Sequence, residues 1–432
     1  MTRPKGPRVI DVEIDAVDSD GSGVAQFEGR QVHVKGVIPG QRVAVRVIKR
    51  RRGIWHALPE DTSSAAFCSA YPGCGGCSMQ HLDPEAQLEL KARGLFDQLA
   101  RAGVVPMTVA LPVRGPVLGY RRRARLGVRH FAGGRETLIG FRESFGSRIA
   151  RASNCPVLVP RLQVILDELR THVGALDGRA AVPQVELAAG DDGAAFIVRH
   201  LQPMTGADRA RLRAVARRTG TEALLQHAGY DSVCRLDGGP PGPLDYRLDR
   251  FGLALTFAPI DFVQVNGIVN QMLVAEAVCD LDPDKVCVLD LFCGIGNFSL
   301  ALARAGAEVI GIEGAPALVA RARVNAERNG LTRFATFLAA DLYKALPAAV
   351  RAAFGRCDRL LIDPPRSGLG TAIEHVRESR LSRIVYVSCH PTSFATDAAG
   401  LIAAGFTLSK LRLFDMFPHT AHVEVLGVFD RT

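Results

Sequence analysis

The chain has 432 residues, too many for one ordinary core, so two or three domains are predicted. At 47% hydrophobic and 22% charged it reads as a globular rather than a disordered chain, and no stretch is apolar for long enough to predict a membrane span. The net charge of +9 points to an anionic partner such as nucleic acid.

The first residues, MTRPKGPRVIDVEIDAV, have no apolar leader segment, and a cytoplasmic protein is expected. Ten cysteines in that reducing setting read as ligands, nucleophiles or core residues rather than a disulfide framework. Residues 1–60 are predicted as a small β-barrel, with alternating runs at 9–14, 31–37 and 42–48 between turns such as Asp20-Gly21 and Pro39-Gly40. The string GSGVAQFEGRQVHVKGVIPGQRVAVRV resembles the TRAM domain, an OB-like barrel of RNA-modifying enzymes. Arg46, Lys49, Arg50, Arg51 and Arg52 give it a basic cluster suited to phosphate.

Residues 61–255 predict a mixed central domain. Cys68, Cys74 and Cys77 form C-x5-C-x2-C in a glycine-rich loop, and Cys155-Pro156 lies far downstream. Four thiolates hold either zinc or a 4Fe–4S cluster, and a single fourth cysteine followed by proline leans towards the cluster. A helix is predicted over 84–102, able to pack on the C-terminal domain. Strands follow at 121–130, 184–189 and 194–200, and helices near 160–172 and 206–218. Arg121, Arg122, Arg123, Arg125 and Arg129 form a second basic cluster, read as a further phosphate-binding surface. DGGPPGPL at 237–244 is a linker or hairpin edge.

From 256 to 432 the fold class is α/β. VCVLDLF, AEVIGIE, TFLAAD, RLLIDPP and RIVYVSC are buried strands, and each but the last two precedes an evident helical pattern. That alternation predicts a Rossmann-like, doubly wound parallel sheet, with the runs near 406–414 and 422–429 as an antiparallel edge pair. The loop Asp290-Leu-Phe-Cys-Gly294-Ile-Gly296 lets a ligand approach the backbone at a strand's carboxyl end. It lacks the third glycine of a dinucleotide fingerprint and suits S-adenosylmethionine better than NAD. Glu313 ends the next strand at the distance expected for ribose hydroxyls, and Asp341 ends the one after, placed for an adenine amino group. Cys389 stands at a strand's carboxyl edge beside a helix start whose dipole favours thiolate, and Glu424 is the candidate base. His419 and His422 raise a zinc-hydrolase alternative that lacks a third ligand at fixed spacing. Cys234, Cys279, Cys287, Cys293 and Cys357 read as core or near-core.

FVQVNGIVNQ, DLFCGIGNF, DPPRSG, SCHP and FPHTAHVE, in this order, resemble the RNA uracil-5 methyltransferases, closest to the 23S ribosomal RNA branch with a TRAM domain and a 4Fe–4S cluster. The resemblance implies that Cys389 adds to uracil C6, so that C5 takes the methyl of S-adenosylmethionine, and that Glu424 removes the C5 proton. By the same resemblance Gln264, Gly294, Glu313 and Asp341 contact the cofactor, and Asp363, in that crevice, hydrogen-bonds the uracil. Cys68, Cys74, Cys77 and Cys155 hold the cluster. A monomer acting on 23S rRNA, away from membranes, is expected. The transfer-RNA T-loop uridine is the alternative substrate, and a non-catalytic iron–sulfur RNA-binding protein the alternative class. The chain departs from the family at His390, where Asn is usual.

Overall fold

The computed structural model describes residues 8–61, 66–131 and 136–431. The N-terminal part is a six-stranded sheet in the spatial order first, fifth, sixth, fourth, third, second. It is antiparallel except where Arg30–Lys35 runs parallel to Ile54–Pro59. Alternation turns Ile10, Val12, Val34, Val45 and Ala57 into one core, capped by Trp55. Of its basic cluster, Arg46 is paired with Glu60 and Arg50 lies over the Trp55 ring at 4.4 Å. Lys49, Arg51 and Arg52 remain exposed.

The central domain is a second six-stranded sheet. Helices Pro160–Val173 and Gly206–Thr219 pack on it through Leu162, Ile165, Leu166, Leu212 and Val215. The second arginine cluster differs from the expectation. Arg121, Arg122 and Arg123 are partly buried and bonded within the protein. Arg123 binds the carbonyls of Ile260 and Asp261, and Arg122 pairs with Asp191 at 3.2 Å. Arg123 thereby ties the central domain to the C-terminal one, as does the Arg122 amide through the Val265 carbonyl, and only Arg125 and Arg129 of the five are exposed.

The C-terminal domain has seven strands: β1 (Cys287–Leu291), β2 (Glu308–Glu313), β3 (Ala335–Ala339), β4 (Arg359–Ile362), β5 (Arg383–Ser388), β6 (Phe406–Phe414) and β7 (Glu424–Arg431). Their order is β3-β2-β1-β4-β5-β7-β6, parallel except for the β6 and β7 pairings. Strand alternation divides the core cleanly. Val288, Val309, Leu361 and Val385 face the layer containing helices Gly267–Leu281 and Pro316–Arg328. Leu289, Ile310, Leu360 and Ile384 face helices Ala348–Arg356, Ala372–Arg377 and Pro391–Ala403. The last two helices follow β4 and β5, where the sequence shows no evident helical pattern. A six-residue helix has too few turns to show one, and Pro391–Ala403 spends positions on Thr, Ser and Gly.

Two further segments join this domain. The hairpin of Leu244–Leu248 and Leu253–Phe257 packs in the same core as helix Gly267–Leu281. Helix Pro84–Arg101, capped by Asp83, inserts Leu95 and Leu99 beside Phe394 and Leu401. The chain after it runs along β6, with Met107, Ala110 and Val113 donating to the carbonyls of Leu408, Leu411 and Leu413, so that edge is covered. Among the described residues no helix is long and apolar enough to cross a membrane.

Candidate active site

β1, β2, β4 and β5 are parallel and end at one rim, and the groups singled out in the sequence gather there. The loop after β1 takes positive φ at Phe292, Gly294 and Gly296. At Gly296 a side chain would also press on Leu300, with its Cβ 3.1 Å away. Glu313 braces the loop, accepting from the Gly294 amide at 3.2 Å and the Ala315 amide at 2.8 Å. Asp341 is exposed and accepts from the Tyr343 amide at 3.0 Å, with Lys344 at 3.1 Å. Those donors hold its carboxyl below the usual range. Gln264 is partly buried in the segment leading into helix Gly267–Leu281, which Asn266 caps through the Val269 amide at 3.2 Å.

Asp363 follows β4, Cys389 follows β5, and Glu424 opens β7. Ser388 pairs with Val425, so the antiparallel register carries Cys389 to the level of Glu424. Glu424 is buried, and desolvation first, then the charge of Asp363, holds its carboxyl well above the usual range. Burial raises Asp363 as well. The two carboxyls therefore both resist ionising in the free site. The Cys389 thiol is pushed up to about 11, by burial first and then by Glu424 and Asp363, while Arg366 pulls it down. The helix dipole expected to favour thiolate is outweighed here by burial first, and then by Glu424 and Asp363.

His390 stands where the resemblance leads one to expect Asn. It is the N-cap of helix Pro391–Ala403, its Nδ1 accepting from the Ser393 amide at 3.3 Å.

Several supporting groups carried no legible role in the sequence. Asn270 and Asn297 exchange reciprocal hydrogen bonds of 3.0 Å, and Tyr246 donates to Asn297 at 2.9 Å, locking the glycine loop to helix and hairpin. Asp397 accepts from Leu369 N at 2.8 Å and from the Tyr386 hydroxyl at 2.5 Å, anchoring DPPRSG. Asp290 is fully buried, bonded to Ser299, and pushed up to about 7 by burial, then by Asp363 and Glu313. Asn297 and Asp290 stand inside the glycine motif, which was their one available signal. Asn270 stands inside FVQVNGIVNQ, while Tyr246 and Asp397 lie in no motif and had none.

The loop before Glu424 is held from outside the sheet. His419 donates from Nε2 to the Val117 carbonyl at 3.0 Å and accepts from Gln87 at Nδ1 at 3.1 Å. Both ring nitrogens are therefore engaged, and His422 lies instead beside Arg366. Among the described residues no three His, Cys, Asp or Glu side chains are set to hold one metal ion, so the zinc-hydrolase alternative has no site. The His419 carbonyl accepts from the amides of Ser78 and Met79 at 2.8 and 3.0 Å. Lys91 meets Asp415 at 2.6 Å, both buried.

Ser78 and Met79 close the cysteine loop. Cys68, Cys74, Cys77 and Cys155 line one cavity together with Tyr71, Arg121 and Phe141. Burial first, and then the other thiols, push Cys77 up to about 12 and Cys155 to about 11. Of the remaining cysteines, Cys293 and Cys357 are buried and Cys234 and Cys287 partly so. Cys279, expected in or near the core, is exposed, because helix Gly267–Leu281 turns Ala277, Val278 and Leu281 inward instead.

The model of the tRNA (Uracil-5-)-methyltransferase family matches residues 253–431, and that of the TRAM domain residues 7–57. The 23S rRNA (uracil(1939)-C(5))-methyltransferase RlmD of Stenotrophomonas maltophilia strain R551-3 is 42% identical over 97% of this chain and 96% of its own. The chain belongs to the S-adenosylmethionine-dependent RNA uracil-5 methyltransferase family. An RlmD of the same description from Alkalilimnicola ehrlichii is also 42% identical, over 99% of this chain and 97% of its own. In fold, this family member is similar to the Pyrococcus abyssi tRNA (uracil-54, C5)-methyltransferase crystallised with S-adenosyl-L-homocysteine. That match has a TM-score of 0.72 at 22% identity, covering 97% of this chain and all of the other.

Proposed function

We propose that the chain methylates C5 of one uridine of 23S ribosomal RNA, the substrate named for its full-length relatives. The observation that carries the reading is the meeting of Cys389, Asp363 and Glu424 at neighbouring strand ends in the cofactor crevice. S-adenosylmethionine supplies an electrophilic methyl group. Cys389 adds to uracil C6, giving an enolate whose C5 accepts that methyl. Asp363 hydrogen-bonds the uracil edge, Glu424 takes the C5 proton, and the thiolate leaves. Arg366, against Cys389, favours the thiolate when substrate excludes water. Gly294, Glu313, Asp341 and Gln264 hold the cofactor, and the amides now bound to Glu313 fix the loop in register for it.

The four cysteines fit a 4Fe–4S cluster. All four line one common cavity, the arrangement a four-thiolate group needs. Bare thiolates in that place repel one another, and iron cations would reverse the sign. A groove of about 470 Å³ between barrel and central domain, lined by Lys35, Arg125, Arg142 and the rings of Phe141 and Phe145, suits an unstacked RNA segment. The chain works on it in the cytoplasm, as a monomer.

The test is transfer from labelled S-adenosylmethionine to unmodified ribosomal and transfer RNA, with nucleoside mapping. 5-Methyluridine at one 23S position supports the reading, and label only in transfer RNA overturns the substrate. Glu424→Gln should accumulate a covalent RNA–protein adduct, and Cys389→Ala should form none while losing on the order of 10⁴-fold or more in rate. Free RNA alone from Glu424→Gln removes Glu424 from its role.

A further inference from the structure

The amino ends of the central strands, opposite the rim, carry a second pair of groups that the methyl-transfer chemistry leaves unused. Cys287 opens β1, and Cys357 closes helix Ala348–Arg356 two residues before β4. β1 and β4 are parallel neighbours, and the Asp358 amide donates to the Cys287 carbonyl at 3.0 Å. That pairing brings the two sulfurs to 2.7 Å, inside their van der Waals contact, although 70 positions separate them in the chain. Cys357 is fully buried, and Cys287 is partly exposed beside Arg356.

We propose that Cys287 and Cys357 form a redox-active dithiol, which closes to an intramolecular disulfide when hydrogen peroxide oxidises Cys287. The Cys287 thiolate attacks one peroxide oxygen, the O–O bond breaks, and the hydroxide released leaves as water after taking up a proton. The sulfenic acid formed on Cys287 is then attacked by the Cys357 sulfur, giving the S–S bond and a second water. Two thiols lose two electrons in total, and the peroxide gains them as two waters. A dithiol reductant reverses the bond. Because the buried resolving thiol is already in contact, closure outruns the further oxidation that a solitary thiol suffers.

The full-length protein, exposed to peroxide, alkylated and digested without reductant, reads this directly. The expected product is the Cys287 peptide joined to the Cys357 peptide, two hydrogens lighter than their sum and released by dithiothreitol. Cys293 shares the tryptic peptide of Cys287, so the link must vanish in Cys287→Ser. In Cys357→Ser, Cys287 should stop as a sulfenic acid that dimedone captures. The exposed Cys279 sets the dose. If Cys287 is recovered free or as sulfinic acid where Cys279 has reacted, the proposal fails. A link that persists in Cys287→Ser assigns the chemistry to Cys293 and overturns it equally.

Discussion

At the rim of the C-terminal sheet, Asp363 and Cys389 follow directly on buried strands, and Glu424 begins one. Cys68, Cys74 and Cys77 instead occupy turns with no strand or helix of their own. The rim groups take their places from the core: Leu360 and Ile362 on one side of Asp363, Tyr386 and Val387 before Cys389. The cysteine loop buries Tyr71 and Met79 but has no strand ladder to fix its backbone. Its backbone leans on scattered hydrogen bonds, among them those from Ser78 and Met79 to the His419 carbonyl, and on the proposed cluster. A site built on strands is formed before its ligand arrives, whereas a site built on turns is completed by it.

The sharpest way to break that contrast is to remove a proposed cluster ligand. Cys77→Ser should lower stability by several kcal/mol, measured by denaturant unfolding alongside iron content, while a matched Cys389→Ser leaves stability within about 1 kcal/mol. Equal effects from the two would show that the loop is as self-supporting as the rim. The loss should also reach His419, whose backbone the loop holds. Hydrogen exchange at 415–424 should therefore rise in Cys77→Ser and stay unchanged in Cys389→Ser.

The same contrast explains what the sequence made legible. Strand alternation, the two glycines and the acids at strand ends revealed the rim, because strand-borne groups are placed by local pattern. The brace on FPHTAH was hidden. Gln87 and Lys91 reach His419 and Asp415 across more than 300 positions, and nothing in an amphipathic helix marks two of its polar residues as buried. The arginine run at 121–123 misled for the converse reason. Charge composition carries no information on whether partners such as Glu186 and the carbonyls at 260–261 lie inside.

Lys91 offers the next test. Its ammonium is buried against Asp415, and burial, only partly offset by that carboxylate, lowers its pKa. Lys91→Ala leaves Asp415 buried and unpaired, at an expected cost of about 3–5 kcal/mol in urea unfolding. Replacing both partners by apolar residues of similar size should restore most of it. A double variant as unstable as the single one would mean the pair acts through shape and not charge.

Within the rim itself, Asp290 gives a pH signature. Its folded pKa of about 7 lies above the ordinary value of 3.8, so the carboxyl prefers its proton in the folded state. The sign follows: its contribution is fully present below about pH 4 and is lost as pH rises through 7. About three units correspond to roughly 4 kcal/mol. Asp290→Asn should cancel that slope, so the stability gap between wild type and variant shifts in favour of the variant from pH 4 to 8. Parallel profiles would show that Asp290 ionises freely.

The smallest effect is the most local. His390 caps the helix that starts beside Cys389, using a lone pair that any side-chain acceptor of similar reach could supply. His390→Asn should therefore keep both stability and methyl transfer, and His390→Ala should cost about 1 kcal/mol by leaving the Ser393 amide without its acceptor. Because the cap sets the start of the helix next to the nucleophile, the Ala variant should lose kcat more than it raises KM. If Asn fails where His succeeds, the imidazole does more than cap, and the departure at this position belongs to the chemistry and not to the helix.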